Sequence, residues 1–121
     1  MSSEFRFVLV ANDFNRSVEF YHLHLGLPMK HSWDRGPGQR GALFIFSNGI
    51  IEILEKNESQ QPAAPNGIWL YVQVDDVDAW YKKIHALDLP VKKAPENTSW
   101  GHRKFTLVDP NGILIGLFSV I

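Results

Sequence analysis

The apolar positions in the first half of the chain predict a strand followed by an amphipathic helix. Residues 5–13 form a β-rich run that leads into a helix start. Asn12 and Asp13 are both candidates for the N-cap, because a short side-chain oxygen can accept from the free NH groups there. Gly26 ends the helix and Pro28 prevents its restart. The predicted apolar stripe of this helix is Phe14, Val18, Tyr21 and Leu25.

Three further strands are predicted before the middle of the chain. Residues 28–33 read as a short strand, and the Gly and Pro content of 34–40 indicates a loop. Residues 42–54 are two β-rich runs around Ser-Asn-Gly at 47–49, which predicts a hairpin. The polar, Pro-containing stretch at about 57–66 is a predicted linker.

The same pattern then begins again. Residues 68–74 predict a strand, and Asp75 and Asp76 are candidates to cap a second helix. A short strand is expected near 89–93, and residues 103–121 predict a hairpin around an Asp-Pro-Asn-Gly turn. The apolar stripe of the second helix is predicted to be Val77, Trp80, Ile84 and Leu87.

The restart predicts an internal duplication. The two capping residues Asp13 and Asp76 are 63 positions apart, and so are the two Asn-Gly turns. Coincidence is the alternative, but two copies at this spacing indicate a pseudo-twofold domain rather than a solenoid. We therefore expect an α+β fold of two βαβββ modules, at about 4–56 and 67–121, that form a single domain over 1–121.

Composition narrows the functional classes. The 121 residues are 45% hydrophobic and 21% charged, with a net charge of −1 and no basic stripe, so a nucleic-acid partner is not expected. The absence of cysteine excludes disulfides and thiolate chemistry and fits a reducing compartment. No apolar run approaches the ~20 residues of a membrane-spanning helix. We expect a cytoplasmic protein that has no membrane partner.

Two segments carry a family resemblance. The opening VLVANDFNRSVEFYHLHLGLP at 8–28 and the close WGHRKFTLVDPNG at 100–112 resemble the vicinal oxygen chelate superfamily. That group includes glyoxalase I, extradiol dioxygenases, fosfomycin-resistance enzymes and bleomycin-resistance proteins, and the Trp-Gly-x-Arg-x-Phe run is closest to the last. The resemblance implies that the modules form a curled mixed sheet around a cleft, with helices outside. It also implies a homodimer.

The resemblance also implies where a metal would bind. Metal-dependent members use four ligands, usually His, Glu, His and Glu, and the matching positions here are Arg6, Glu52, Trp69 and Gly116. A guanidinium has no lone pair to donate, and neither an indole nor a bare backbone supplies a ligand, so one carboxylate remains. We expect no metal and no other cofactor at this site.

Strand alternation predicts which side chains face the cleft. The residues that share a face with the four mapped positions combine aromatic walls with one Arg and one Glu, as a small-molecule site would. Trp100, with Trp69, is a candidate to stack on a planar ligand, Trp33 is a candidate to cap the cleft, and Arg103 and Arg40 are candidates for its rim. The ligand-binding residues predicted on the strands are Arg6, Glu52, Trp69, Tyr71, Gly116 and Phe118.

Several of these residues have two interpretations. Gly116 either leaves room for a ligand or allows a bend in the sheet. Arg6 either holds an anionic ligand or forms a structural ion pair with Glu52. Glu52 is the candidate general base if there is catalysis, and Tyr71 or His102 would be the acid.

The sequence therefore favours a metal-free small-molecule-binding protein that captures a planar or anionic ligand in an aromatic-lined cleft. The alternative is an enzyme of the same fold, a lyase, isomerase or dioxygenase, which uses Glu52 as acid or base or a metal site elsewhere. A structural or regulatory module with a filled cleft is a third hypothesis. The absence of a phosphate-cradling loop and a nucleophile elbow favours a protein that is not an enzyme.

Overall fold

A computed structural model of the chain describes residues 3–60 and 65–121. The chain divides into two compact units, Met1–Ala64 and Pro65–Ile121. Residues 61–64 of the predicted linker lie outside the described residues. No helix in the described part of the chain is both long and apolar enough to cross a membrane.

The first unit is a four-stranded mixed sheet with one interrupted helix. Its sheet order is β1-β4-β3-β2, in which β1 is parallel to β4 and the other pairs are antiparallel. The elements are β1 (Phe5–Ala11), α1 (Phe14–Val18) continued by a π-helical segment (Glu19–His24), β2 (Met29–Asp34), β3 (Arg40–Phe46) and β4 (Gly49–Glu55).

The second unit repeats this topology. Its sheet order is β5-β8-β7-β6, again with a parallel pair, β5 and β8, and two antiparallel pairs. The elements are β5 (Trp69–Gln73), α2 (Val77–Ala86), β6 (Val91–Asn97), β7 (His102–Val108) and β8 (Leu114–Val120). The predicted pair of βαβββ modules and the α+β class are confirmed.

Both helices begin at the predicted repeat positions. The carboxylate of Asp13 accepts a hydrogen bond from the backbone N–H of Arg16 at 3.1 Å, and Asp76 accepts one from Ala79 at 3.0 Å. Each cap satisfies a backbone donor that has no partner within the helix. Asp13 and Asp76 are therefore the N-caps among the four candidates.

The first helix differs from its predicted stripe. The N–H of Leu25 donates to the carbonyl of Phe20 at 2.9 Å, a π-helical spacing that shifts the following side chains around the axis. Phe20 is buried although the stripe omitted it, whereas Phe14 and Val18 are only half-buried. A stripe drawn at 3.6 residues per turn does not allow for this π-helical spacing.

The ends of the two helices also correspond. Gly26 adopts φ 70° after the first helix, and Asp88 adopts φ 54° at the equivalent point after the second. Left-handed backbone suits glycine, so the second copy carries a less favourable residue there. Leu87, predicted to belong to the buried stripe, lies past the end of α2 and is 43% exposed.

One face of each sheet forms the core, as the alternation predicted. In the second module, α2 contacts β6, β7 and β8. The opposite faces carry the predicted ligand-binding residues. The buried strand residues on these core faces include Leu9, Ile51, Ile53, Ile115 and Leu117.

Candidate functional site

The outer face of the first module carries an ion pair between Arg6 and Glu52. In the parallel pairing of β1 and β4, Val8 lies opposite Glu52, so Arg6 is its diagonal neighbour on the same face. Arg6 Nη1 donates to Glu52 Oε1 at 2.6 Å, and Nη2 lies 2.9 Å from Glu4 Oε2. The hydrogen bond to Glu52 raises the pKa of Arg6 above its ordinary value. The structure brings these two predicted residues together, and their charged groups form an ion pair with each other.

The donor set does not fit a four-ligand metal site. The carboxylate of Glu52 is bound by a guanidinium, which has no lone pair to offer. The other two mapped positions, Trp69 and Gly116, are in the second module and carry no ligating group. Within residues 3–60 and 65–121, no group of three or more His, Asp or Glu side chains is placed to hold a metal ion.

Trp33 lies flat across its neighbouring strand. It is paired in register with Gly41 of β3, and a Cβ at residue 41 would overlap the Trp33 ring. The ring of His31 is 5.8 Å away, and the guanidinium of Arg35 is 5.6 Å from the Trp33 centroid. Trp33 is half-buried on a glycine rather than projecting from the sheet.

In the second module, Gly116 accommodates the module's own aromatic rings. It is paired with Tyr71 in the β5–β8 register. A Cβ at residue 116 would stand 2.8 Å from Tyr71 Cδ1 and 3.1 Å from Trp69 Nε1. The space above Gly116 is therefore filled by these side chains, an outcome that neither predicted interpretation anticipated.

Tyr71 belongs to a stack that crosses three strands. Its ring lies 4.3 Å from that of Phe118 at an interplanar angle of 10°, and Phe118 lies 4.3 Å from the His102 ring at 20°. The Tyr71 hydroxyl and His102 Nδ1 are 2.9 Å apart, within hydrogen-bonding distance. The stack aligns an apolar surface with a pair of groups that can exchange a proton.

Lys104 completes this surface, and the sequence reasoning missed it. Its Nζ lies 4.6 Å from the centroid of Trp69 and 5.7 Å from that of Trp100. Lys104 is the register partner of Phe118, so the alternation rule identifies it once β7 is aligned with β8. We call the following set the aromatic face: Trp69, Tyr71, Trp100, His102, Lys104 and Phe118.

Arg103, the predicted rim residue, does not join the aromatic face. It pairs with Asp78 of α2, with Nε 3.0 Å from Oδ2, and its Nη1 donates to Asn97 at 3.0 Å. The hydrogen bond from Arg103 lowers the pKa of Asp78. Neighbouring strand residues point to opposite faces, so a one-residue difference from Lys104 reverses the direction of the side chain.

Arg40 forms another paired site in the first module. Its Nη2 donates to Glu55 Oε2 at 2.8 Å, and its guanidinium lies 4.7 Å from the ring centroid of Phe14. The hydrogen bond from Arg40 lowers the pKa of Glu55. These two residues line an open pocket of about 440 Å³ with Asp34, Gly36 and Pro37.

Comparison with known proteins identifies relatives of this chain. The profile of the Glyoxalase/Bleomycin resistance protein/Dioxygenase superfamily matches residues 5–117. An uncharacterized protein of Bacillus subtilis (strain 168), YraH, is 31% identical over 124 residues, which cover 93% of this chain and 94% of that protein.

Two solved structures illustrate what this fold supports. TnmS3, an antibiotic binding protein from Streptomyces sp. CB03234, aligns with a TM-score of 0.78 and 24% identity over 100% of this chain and 98% of its own. A lactoylglutathione lyase from Agrobacterium tumefaciens aligns with a TM-score of 0.71 and 23% identity, over 98% and 94% of the two chains. At these identities the likeness shows the fold alone.

Proposed function

The chain belongs to the Glyoxalase/Bleomycin resistance protein/Dioxygenase superfamily, and on this basis we propose that it is a metal-free small-molecule-binding protein. It captures a planar or anionic ligand on aromatic side chains by stoichiometric binding and needs no cofactor. Its two modules act as one domain.

The aromatic face is the observation that carries this proposal. Trp69 is 50% exposed and Tyr71 is 40% exposed, although burial of such side chains is strongly favourable. Large apolar surface that remains exposed and carries a few polar groups is typical of a ligand-binding surface. The Tyr71–Phe118–His102 stack holds this surface in one arrangement before a ligand arrives, which lowers the entropy cost of binding.

The paired charges of the first module support the same proposal. Arg6 satisfies Glu52, whose side chain is only 15% exposed, so neither group is available as an unpaired acid or base. Within the first module we assign Arg6 and Glu52, with Trp33 and Gly41 beside them, to a ligand-contacting surface of that module. By analogy with the antibiotic binding protein TnmS3, an antibiotic is one candidate ligand, and sequestration would then confer resistance.

An enzyme of the lyase, isomerase or dioxygenase type is the second candidate function. The hydrogen-bonded pair of Tyr71 and His102 favours it, because these two groups could donate and accept a proton at one point of the aromatic face. Turnover of a bound ligand, lost on His102→Gln with binding retained, would establish this candidate in place of the first.

A thermal-shift screen tests the capture proposal. Planar aromatic antibiotics, acidic metabolites and divalent metals are each added to the purified chain, because a ligand of the folded state raises the unfolding midpoint. We expect a planar ligand to raise it and divalent metals to leave it unchanged. A near-stoichiometric transition metal in protein purified without chelator would overturn the metal-free assignment.

Substitution of Trp69 then locates the ligand. Trp69→Ala should weaken binding of the ligand about tenfold or more, as loss of a stacking wall does. The half-exposed ring should contribute well below the ~3–5 kcal/mol that a core tryptophan contributes to stability. Trp80→Phe on α2 is the matched control and should leave binding unchanged. A large loss of stability with unchanged affinity would remove Trp69 from the site.

The assembly and compartment are also part of the proposal. We propose a cytoplasmic homodimer that has no nucleic-acid or membrane partner. Sheets with open edge strands commonly pair or are covered, which supports association. Light scattering coupled to size-exclusion chromatography measures the mass, and a monomer at micromolar concentration would contradict the dimer.

A further inference from the structure

Lys104 brings a positive charge into the aromatic face. Its Nζ lies within 6.0 Å of the Tyr71 centroid and closer still to those of Trp69 and Trp100. The electron-rich faces of the rings attract the ammonium group and hold it on this surface. They do not neutralise it, so the face combines stacking area with a net positive charge.

No carboxylate of the described residues forms an ion pair with Lys104. Glu96 of β6 is its register partner, but Glu96 Oε1 binds Lys93 Nζ at 2.9 Å. The arginines on the strands of the two modules, by contrast, are each paired with a carboxylate. Those pairs are Arg6 with Glu52, Arg40 with Glu55, and Arg103 with Asp78.

We propose that Lys104 sets the ligand class of the aromatic face, which is that of planar aromatic carboxylates. The ligand ring stacks on Trp69 or on Trp100, which is 62% exposed, and the ligand carboxylate accepts a charge-assisted hydrogen bond from Lys104 Nζ. The inference deepens the proposed capture function and rests on it.

The same arrangement disfavours two other ligand classes. A cationic aromatic ligand would bring a like charge against the ammonium group. A neutral planar ligand would stack on the rings but leave Lys104 without an anionic partner. Charge discrimination is therefore a property of this one side chain, because the other groups of the face are uncharged aromatic rings and a histidine that is bound to Tyr71.

Matched pairs of probes test the inference by isothermal titration calorimetry on the full chain. The probes are naphthoate and anthracene carboxylate, each compared with its own carboxamide, which has the same ring and no charge. We expect each carboxylate to bind about tenfold more tightly than its carboxamide. Raising NaCl from about 50 to about 500 mM should weaken carboxylate binding only.

Substitutions then assign the preference to Lys104. Lys104→Met should remove the preference for the carboxylate and retain carboxamide binding, whereas Lys104→Arg should keep the preference. Lys82→Met on α2 removes an equal charge elsewhere and should change nothing. If Lys104→Met does not fold, the Arg variant and the salt dependence of the unaltered chain still decide the question.

The outcomes distinguish the proposed role of Lys104 from the proposed capture function on which it rests. Equal affinity for carboxylate and carboxamide, or a preference that survives Lys104→Met, would overturn the role of Lys104 and leave aromatic capture standing. Failure of all the probes to bind would overturn both.

Discussion

Tyr71 packs against the backbone of Gly116, so closely that a Cβ at residue 116 would stand 2.8 Å from Tyr71 Cδ1. The family resemblance implies that metal-dependent relatives carry a carboxylate at this position, whereas here the glycine accommodates an aromatic ring. The ring in turn stacks on Phe118, so the missing side chain is part of how the aromatic face is built.

Gly116→Ala should therefore disturb the aromatic face more than the core. We expect a loss of about 1 kcal/mol in unfolding free energy, at the low end for overpacking because the Tyr71 and Trp69 rings are half-exposed and can move. The near-ultraviolet circular dichroism of these rings should change. Gly49→Ala is the control, since its Cβ would meet Phe5 O at an ordinary 3.5 Å. An unchanged spectrum for Gly116→Ala would refute this account of the glycine.

The ion pair of the first module predicts non-additive stabilities. Arg6→Met should lower the unfolding free energy, because it leaves the largely buried carboxylate of Glu52 without its partner. The double variant Arg6→Met/Glu52→Gln should be less destabilised than the sum of the single variants. Lys30→Met, which removes an exposed partner of Glu4 at 3.5 Å, should have little effect. Urea denaturation measures the unfolding free energy of each variant, and strictly additive losses would mean that Arg6 and Glu52 are not coupled.

Acid should lower the stability of the fold, because it protonates carboxylates that are hydrogen-bonded to arginines. The pKa of Glu55 is lowered by its hydrogen bond to Arg40, and that of Asp78 by its hydrogen bond to Arg103. A lowered folded-state pKa contributes stability above the ordinary value of 4.5 for Glu, and that contribution is lost as the pH falls through the folded-state pKa. The urea midpoint should therefore decline below about pH 4.5.

Glu55→Gln isolates that contribution. The variant should be less stable than the unaltered chain at neutral pH, and the two urea midpoints should approach each other as the pH falls. Glu58→Gln, an exposed position in the following loop, should follow the unaltered profile. A constant difference between the Glu55→Gln variant and the unaltered chain at every pH would show that Glu55 stabilises by packing rather than by charge.

Replacement of Asp88 by glycine, the residue at the equivalent position of the first module, should stabilise the fold. Asp88 takes φ 54° where the first copy has Gly26 at φ 70°. Asp88→Gly should raise the unfolding free energy by about 0.5–1 kcal/mol, because glycine adopts this backbone without strain. Asp88→Asn removes the charge but keeps the side chain, and should gain less. A gain from Asn equal to that from Gly would attribute the effect to the charge at the helix C-terminus.

Sequence reasoning succeeded where structure is set locally. The N-caps at Asp13 and Asp76 and the turns of the two hairpins depend on side chains that act within a few residues. Because the pattern repeats at one spacing, each copy also supported the prediction for the other. Strand alternation separated the core face, with Ile53 and Ile115, from the face that carries the predicted ligand-binding residues.

The differences arise where distant residues decide the outcome. The role of Gly116 depends on Tyr71, 45 positions away in sequence and paired with it across two strands. Lys104 was overlooked and Arg103 was predicted at the rim, because the register of β7 against β8 determines which of two adjacent cations faces the rings. Nothing in residues 14–25 alone signalled the π-helical spacing or the burial of Phe20.

Every strand pairing in each of the two sheets joins strands from the same half of the chain. In each, the last strand to emerge from the ribosome inserts between the first strand and the hairpin partner already made, as β4 does between β1 and β3. The first half can therefore form all of its own strand pairings while the second half is still being synthesised, and we expect it to shield its own core at that stage. A nascent chain that stalls near residue 64 would then carry a complete four-stranded sheet rather than an unpaired hairpin.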